Sequence, residues 1–307
     1  MSITSSRRGF LKQGVLAAAG ASALGAQPQT ARAMSPVKRG LGPHMKLSLA
    51  AYSYRKYLQE QKSMTIEGFL EECAKMGLDA AEPTSYYFPN PPTEEFLLNF
   101  KRKAFLLGLD ISGTAVGNTF THPPGPKRDE QIQHVKEWID YSAIFGAPCI
   151  RIFAGDTPKG ATDDQARRYA IETTEIACAY AATRGVFLAL ENHGGVVSDA
   201  EGVLAIVREV ESEWFGVNLD TGNFHTDDPY ADVAKIAPYA VTVQVKTEMN
   251  PRAGGRAEAD FERIFGILGE VGYRGYVALE YEAREEPKEA VPRYIEQLQK
   301  ILSRMQG

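Results

Sequence analysis

Eight short β-forming runs alternate with eight amphipathic helical stretches along this chain, and that alternation leaves few architectures open. The runs fall near residues 46–51, 79–82, 110–115, 148–154, 186–191, 215–219, 240–246 and 275–280. Between them lie helical patterns such as TIEGFLEECAKMG, EQIQHVKEWIDYSAIFG and FERIFGILGEVG, several closed by a glycine in the C-cap position, with PKEAVPRYIEQLQKILSRM last. Strict β-α alternation predicts a parallel sheet. Eight repeats favour its closure into a single-domain α/β barrel, the (β/α)8 TIM barrel, over an open doubly wound sheet. No glycine-rich phosphate loop follows the first run, which removes the main reason to expect a nucleotide-binding sheet.

The last four runs each end in a side chain that carries oxygen: Glu191 in VFLALENHGG, Asp220 in FGVNLDTGNFH, Gln244 in VTVQVKTEM and Glu280 in YVALEYE. Side chains two residues apart on a strand share a face. Glu191 therefore sides with Ala189, Asp220 with Asn218, Gln244 with Thr242 and Lys246, and Glu280 with Ala278. The opposite faces carry Leu188, Leu190, Val217, Leu219, Val243, Val245, Val277 and Leu279. Strands sandwiched only by helices should be apolar on both faces. A small or polar second face fits a barrel interior that leads up to a site.

In such barrels the active site lies at the C-terminal ends of the strands, where all four residues fall. Three carboxylates and an amide make an all-oxygen ligand set suited to a hard divalent cation, Mn2+ or Mg2+ first, with Co2+ also admissible. Crowded negative charge inside a barrel also calls for a cation. Around this point stand further candidates for substrate binding. His193 follows Glu191, Asn223 and His225 follow Asp220, Lys246 shares the Gln244 face, and Arg151 has inward parity in CIRIFAG. Glu82 closes the second run, and Arg256 lies in the loop GGRAEAD.

Residues 1–33 read as a twin-arginine export signal: Arg7-Arg8, a modest apolar run from Val15 to Ala26, and Ala31-Arg32-Ala33 as the cleavage site. This predicts use of the twin-arginine export machinery, a periplasmic or extracytoplasmic location, and no membrane attachment after cleavage. Residues 34–44 (MSPVKRGLGPH) read as a flexible spacer, and residues 45–307 as the barrel. Removing the signal leaves 30 basic against 39 acidic residues, a formal charge of −9, which argues against a nucleic-acid partner. Cys73, Cys149 and Cys178 have no close spacing and sit in apolar or helical contexts, so they read as core. A homo-oligomer stays an open option.

The segments LENHGG, NLDTGNFH, VQVK and GYVALEYE resemble the sugar phosphate isomerase/epimerase superfamily, the xylose-isomerase-like barrels, over residues 46–302. The resemblance implies that Glu191, Asp220, Gln244 and Glu280 hold the metal, and that Glu191 and Glu280 also act as the acid/base pair. Ketose epimerases of the family place histidine where Gln244 stands, and the hydroxypyruvate isomerase branch resembles this chain in having glutamine there. A second departure is Asn223, where epimerases place a histidine. The chemistry implied is a metal-dependent isomerisation or epimerisation of a sugar or keto-sugar through an enediolate. The alternative is β-elimination from a 3-keto-glycoside at the same site, which extracytoplasmic location would favour. Endonuclease chemistry is disfavoured by five histidines and the acidic charge. A Schiff-base aldolase using Lys246 and a non-catalytic sugar binder complete the alternatives.

Overall fold

A computed structural model describes residues 34–306, so the export-signal reading of residues 1–33 lies outside the described residues. Strands and helices alternate in the expected order. The strands are β1 His44–Leu49, β2 Ala80–Ala81, β3 in two pieces (Asp110–Ile111 and Thr114–Ala115), β4 Cys149–Ile152, β5 Phe187–Glu191, β6 Phe215–Asp220, β7 Ala240–Lys246 and β8 Arg274–Glu280. The helices are α1 Ile66–Lys75, α2 Glu94–Leu106, α3 Pro126–Phe145, α4 Asp163–Ala182, α5 Ala200–Val207, α6 Pro229–Ile236, α7 Phe261–Glu270 and α8 Pro287–Gln306. A short antiparallel pair, Glu248–Met249 with Ala257–Glu258, decorates the loop after β7.

Local chemistry explains the helix starts. Thr65, Thr93, Thr162, Asp199, Asp228 and Asp260 each accept a hydrogen bond from a main-chain N–H in the first turn of α1, α2, α4, α5, α6 and α7. Such caps satisfy N–H groups that a helix cannot pair internally. They also fix where each connection from a strand ends.

The sheet closes on itself. β1 pairs with β8 in parallel from His44 opposite Arg274 to Leu49 opposite Leu279. The ladder then runs through β7, β6, β5 and β4 to the second piece of β3. β2 pairs with the first piece of β3, and the Ala50–Glu82 bridge joins it back to β1. The apolar faces point outward under the helices as expected: Leu188, Val217, Leu219, Val243, Val245, Val277 and Leu279 are all fully buried. The interior carries small and polar side chains, including Ser48 and Ser112, whose hydroxyls meet at 2.7 Å, and Thr114, Ala189, Asn218 and Thr242. All three cysteines are free and buried, in keeping with core packing.

Residues 34–44, read as a flexible spacer, are tied to the barrel. Met34 N–H donates to the Val210 carbonyl, Val37 N–H donates to that of Pro238, and Arg39 donates to the Ala240 carbonyl at 2.6 Å. The Arg39 guanidinium lies 5.0 Å from the centre of the Tyr273 ring. Pro and Gly mark this segment as a loop without saying whether the loop docks. β1 accordingly begins at His44.

Leu279 is fully buried on the outer face of the β1–β8 seam. Leu279→Ala should cost about 2–5 kcal/mol through lost burial and a cavity. Urea denaturation checks this; the midpoint should fall while the slope stays unchanged.

Candidate functional site

Every strand from β4 to β8, together with the end of β2, contributes a polar side chain at its C-terminal end. Glu82, Arg151, Glu191, Asp220, Gln244, Lys246 and Glu280 are all buried there. Register places them in neighbouring pairs: Asp220 lies opposite Gln244, and Lys246 opposite Glu280. In parallel strands paired residues point the same way, so both pairs face the barrel interior.

Four side chains that sequence reasoning missed lock these strand ends together. Asn192 accepts from the Asp220 N–H and donates to the Asp220 carbonyl, each at 2.9 Å. Thr221 Oγ1 accepts from the Lys246 N–H at 3.0 Å. Ser53 accepts from the Tyr281 N–H at 2.9 Å, and Asn118 brackets Phe153 by accepting from its N–H and donating to its carbonyl. Gly222 is required by close approach. A Cβ there would stand 2.6 Å from the Lys246 side chain and 2.7 Å from the Glu248 carbonyl.

Two built-in cations organise the carboxylates. Arg151 Nε lies 2.9 Å from Glu191 Oε2, while Asn223 Nδ2 donates to Glu191 Oε1 at 2.7 Å. Lys246 Nζ lies 2.5 Å from Glu280 Oε2, reaches Glu282, and stands 3.4 Å from Asp220 Oδ2. Asp220 Oδ1 accepts from the Gly222 and Asn223 N–H groups at 2.8 and 3.0 Å, but its Oδ2 accepts no hydrogen bond. Gln244 donates from Nε2 to Glu82 Oε1 at 2.6 Å and accepts at Oε1 from Asn218 Nδ2 at 2.8 Å.

These environments split the carboxylates. Burial pushes the Glu82 carboxyl up to about 7. Burial likewise pushes Glu191 up to about 7, with Arg151 pulling against it. Asp220 is driven well up by burial, which outweighs the pull of Lys246. Glu280 goes the other way: burial would raise it, but the charge and hydrogen bond of Lys246 hold it below the usual range. Lys246 stays cationic, because Asp220, Glu280 and Glu282 together overcome the cost of its burial.

The expected ligand residues are thus brought to one end of the barrel, but their orientation differs from expectation. Their carboxylates turn to Lys246 and Arg151 rather than to one common point, and the Gln244 oxygen turns to Asn218. Among the described residues no three His, Cys, Asp or Glu side chains stand ready to hold a metal. The donor chemistry nevertheless fits a divalent cation. Four buried carboxylates and Glu282 face two cations, and Asp220 Oδ2 is buried without a hydrogen bond. That surplus of negative oxygen is what a hard cation complements.

A chamber of about 220 Å3 opens over this cluster, lined by Glu191, Glu280, Lys246 and Arg151, with Tyr52 and Tyr86 across from them. His193 borders it, its ring 4.5 Å from that of Phe153. Arg256 lies to one side, 3.3 Å from Glu248, on an adjoining recess of about 150 Å3 shared with Lys246 and Asn223. His225 stands apart: it is exposed, and its Nδ1 is engaged with the Asn250 carbonyl at 2.8 Å. The sequence reading did not weigh Glu282, although it shares strand parity with Glu280. Tyr52 carried no signal beyond following β1.

The chain belongs to the xylose isomerase-like TIM barrel family, whose model matches residues 70–301. It is 23% identical over 173 residues to the 2-oxo-tetronate isomerase of Haemophilus influenzae, an alignment covering 53% of this chain and 66% of that protein, just under two thirds of its length. Among solved structures it resembles a 3-keto-D-glucoside 4-epimerase from E. coli, with a TM-score of 0.66 and 16% identity over 83% of this chain and 99% of that one. It also resembles a xylose isomerase-like barrel protein from Mycobacterium smegmatis in complex with magnesium, with a TM-score of 0.65 and 18% identity over 84% and 96%.

A buried carboxyl held near 7 binds its proton more tightly in the folded state, so its contribution to stability is lost as pH rises from about 4.5 through 7. Glu82→Gln removes that titration and can still accept from Gln244. In chelator-treated protein it should raise the melting temperature more at pH 8 than at pH 5. An equal effect at both pH values would contradict the assignment.

Proposed function

We propose that this protein is a sugar isomerase or epimerase that moves a proton on a carbon next to a carbonyl, using Glu280 and Glu191 as its base and acid. One observation carries the reading: two carboxyls in one small chamber are pushed in opposite directions, Glu280 kept ionised by Lys246 and Glu191 held up near 7 by burial. Paired groups driven apart in this way mark acid and base roles. The family and the named activities of its relatives support the same class of chemistry.

In this scheme the ionised Glu280 removes the proton, and the electron pair of the broken C–H bond passes to the carbonyl oxygen as an enediolate forms. Glu191 delivers a proton to the opposite face of that carbon, or to its neighbour. Lys246 and Arg151 place positive charge beside the developing oxyanion, while Asn223 and His193 offer hydrogen bonds to substrate hydroxyls. Glu191, Asp220, Glu280 and the Gln244 amide would hold a divalent ion, Mn2+ or Mg2+, which would supply Lewis-acid stabilisation of the negative oxygen. Elimination of a glycosidic oxygen begins with the same deprotonation and is the second reading. On the strength of the N-terminal motif, we also place the protein outside the cytoplasm, exported folded.

Turnover of a keto-sugar in D2O should install one deuterium on the carbon beside the carbonyl, and product formed without deuterium would contradict proton transfer. Release of a free aglycone from a 3-keto-glycoside would select elimination. Glu191→Gln and Glu280→Gln should each lower kcat by about 10²–10⁴, the usual worth of a positioned acid or base.

Metal binding has a separate test. At 100 times its dissociation constant, Mn2+ should stabilise the folded protein by about 2.7 kcal/mol, read from denaturation with and without the ion. Lys246→Met removes the competing ammonium and should tighten Mn2+ binding by calorimetry. No heat from either protein would remove the metal from the scheme.

A further inference from the structure

A cavity of about 580 Å3 among the described residues does not lie over the carboxylates but directly beside them. Phe153 and His193 line both it and the 220 Å3 chamber, and Asn223, which donates to Glu191, also lines its wall. The two spaces are therefore neighbours across a single partition. Contacts hold that partition in place: Asn118 brackets the Phe153 main chain, and the Arg151 guanidinium packs 3.8 Å from the Phe153 ring centre.

The volumes differ in kind. Sites for drug-sized ligands span roughly 300–1,000 Å3. The small chamber falls below that range and suits one sugar ring, whereas the large cavity has room for a further ring-sized group. The loops after β4 and β5 leave this room by close packing. Gly195 has φ +53°, and a Cβ there would stand 2.4 Å from the Gly155 carbonyl.

The lining also selects a chemistry. Among the described residues no Lys or Arg lines the large cavity, and the Asp156 carboxylate is exposed at it, so its fixed charge disfavours a phosphate. Among the described residues the Thr119 hydroxyl, the His122 imidazole and the Asp156 carboxylate make no hydrogen bond or ion pair, which leaves both donors and acceptors free for hydroxyl groups. The aromatic Phe153 forms an apolar wall opposite. We propose that the large cavity is a second subsite for the uncharged, ring-sized substituent of a glycoside whose sugar ring sits in the small chamber. The substrate class is then a neutral glycoside carrying a keto group on its sugar ring, rather than a free ketose or a sugar phosphate. This rests on the proposed function only for the identity of the ring in the small chamber.

Equilibrium binding separates the two ideas, because unoxidised probes bind without reacting. Calorimetry should compare glucose, glucose 6-phosphate, cellobiose and maltose on the full chain, with Mn2+ present. At least one disaccharide should bind about tenfold or more tighter than glucose, while the phosphate adds nothing. Thr119→Trp fills the cavity and should bring that preference down toward one. Asp156→Trp, at the exposed rim, makes the same test should the first variant not fold. The subsite is overturned if no disaccharide outbinds glucose, if no probe binds, or if the preference survives both substitutions. Absence of turnover on keto-sugars, with the binding preference intact, would overturn the catalytic reading and leave the subsite standing.

Discussion

Two fixed cations set against a larger number of buried carboxylates govern this end of the barrel. Burying an ion costs several kcal/mol unless a partner and further hydrogen bonds compensate it. Arg151 and Lys246 supply the partners, and they supply them unequally. Glu280 has Lys246 in direct contact; Glu191 shares Arg151 across a single close contact; Asp220 meets only the far side of Lys246. Groups of one chemical type at one end of the barrel therefore hold their protons with different strengths. The acid and base roles proposed for Glu191 and Glu280 rest on that inequality.

The fold makes such crowding tolerable. A closed parallel barrel turns its branched apolar residues outward to the helices, so the interior need not be greasy and can carry hydroxyls and amides in layers below the mouth. Strand ends would still splay without restraint. Asn192, Thr221, Ser53 and Asn118 prevent this by hydrogen-bonding the main chain of neighbouring strand ends, and the chemical groups stand on that scaffold. Residues outside the lining of the carboxylate chamber thus determine where its oxygens lie. Their loss would loosen the site without changing its composition.

Much of this was legible in the chain, because two periodicities carried it. The alternation of strand and helix patterns announced the barrel, and parity along β4 to β8 separated outward Leu and Val from inward Arg151, Glu191, Asp220, Gln244, Lys246 and Glu280. What could not be read was orientation. Parity says which face Gln244 occupies but not that its amide bridges Asn218 and Glu82. Nor can composition show that Lys246, rather than empty space, lies among the carboxylates. The docking of residues 34–44, the clamp role of Asn192 in LENHGG and the contribution of Glu282 depend on contacts distant in sequence, and no local pattern encodes them. His225 shows the converse: a histidine close in sequence to Asp220 is drawn off to the Asn250 carbonyl.

Carboxyl 13C NMR of the metal-free protein, with Glu191 and Glu280 assigned by substitution, tests the unequal compensation most directly. The account predicts that Glu191 titrates near 7 while Glu280 titrates below the usual carboxylate range. Two carboxyls titrating together in the ordinary range of about 4–5 would contradict it.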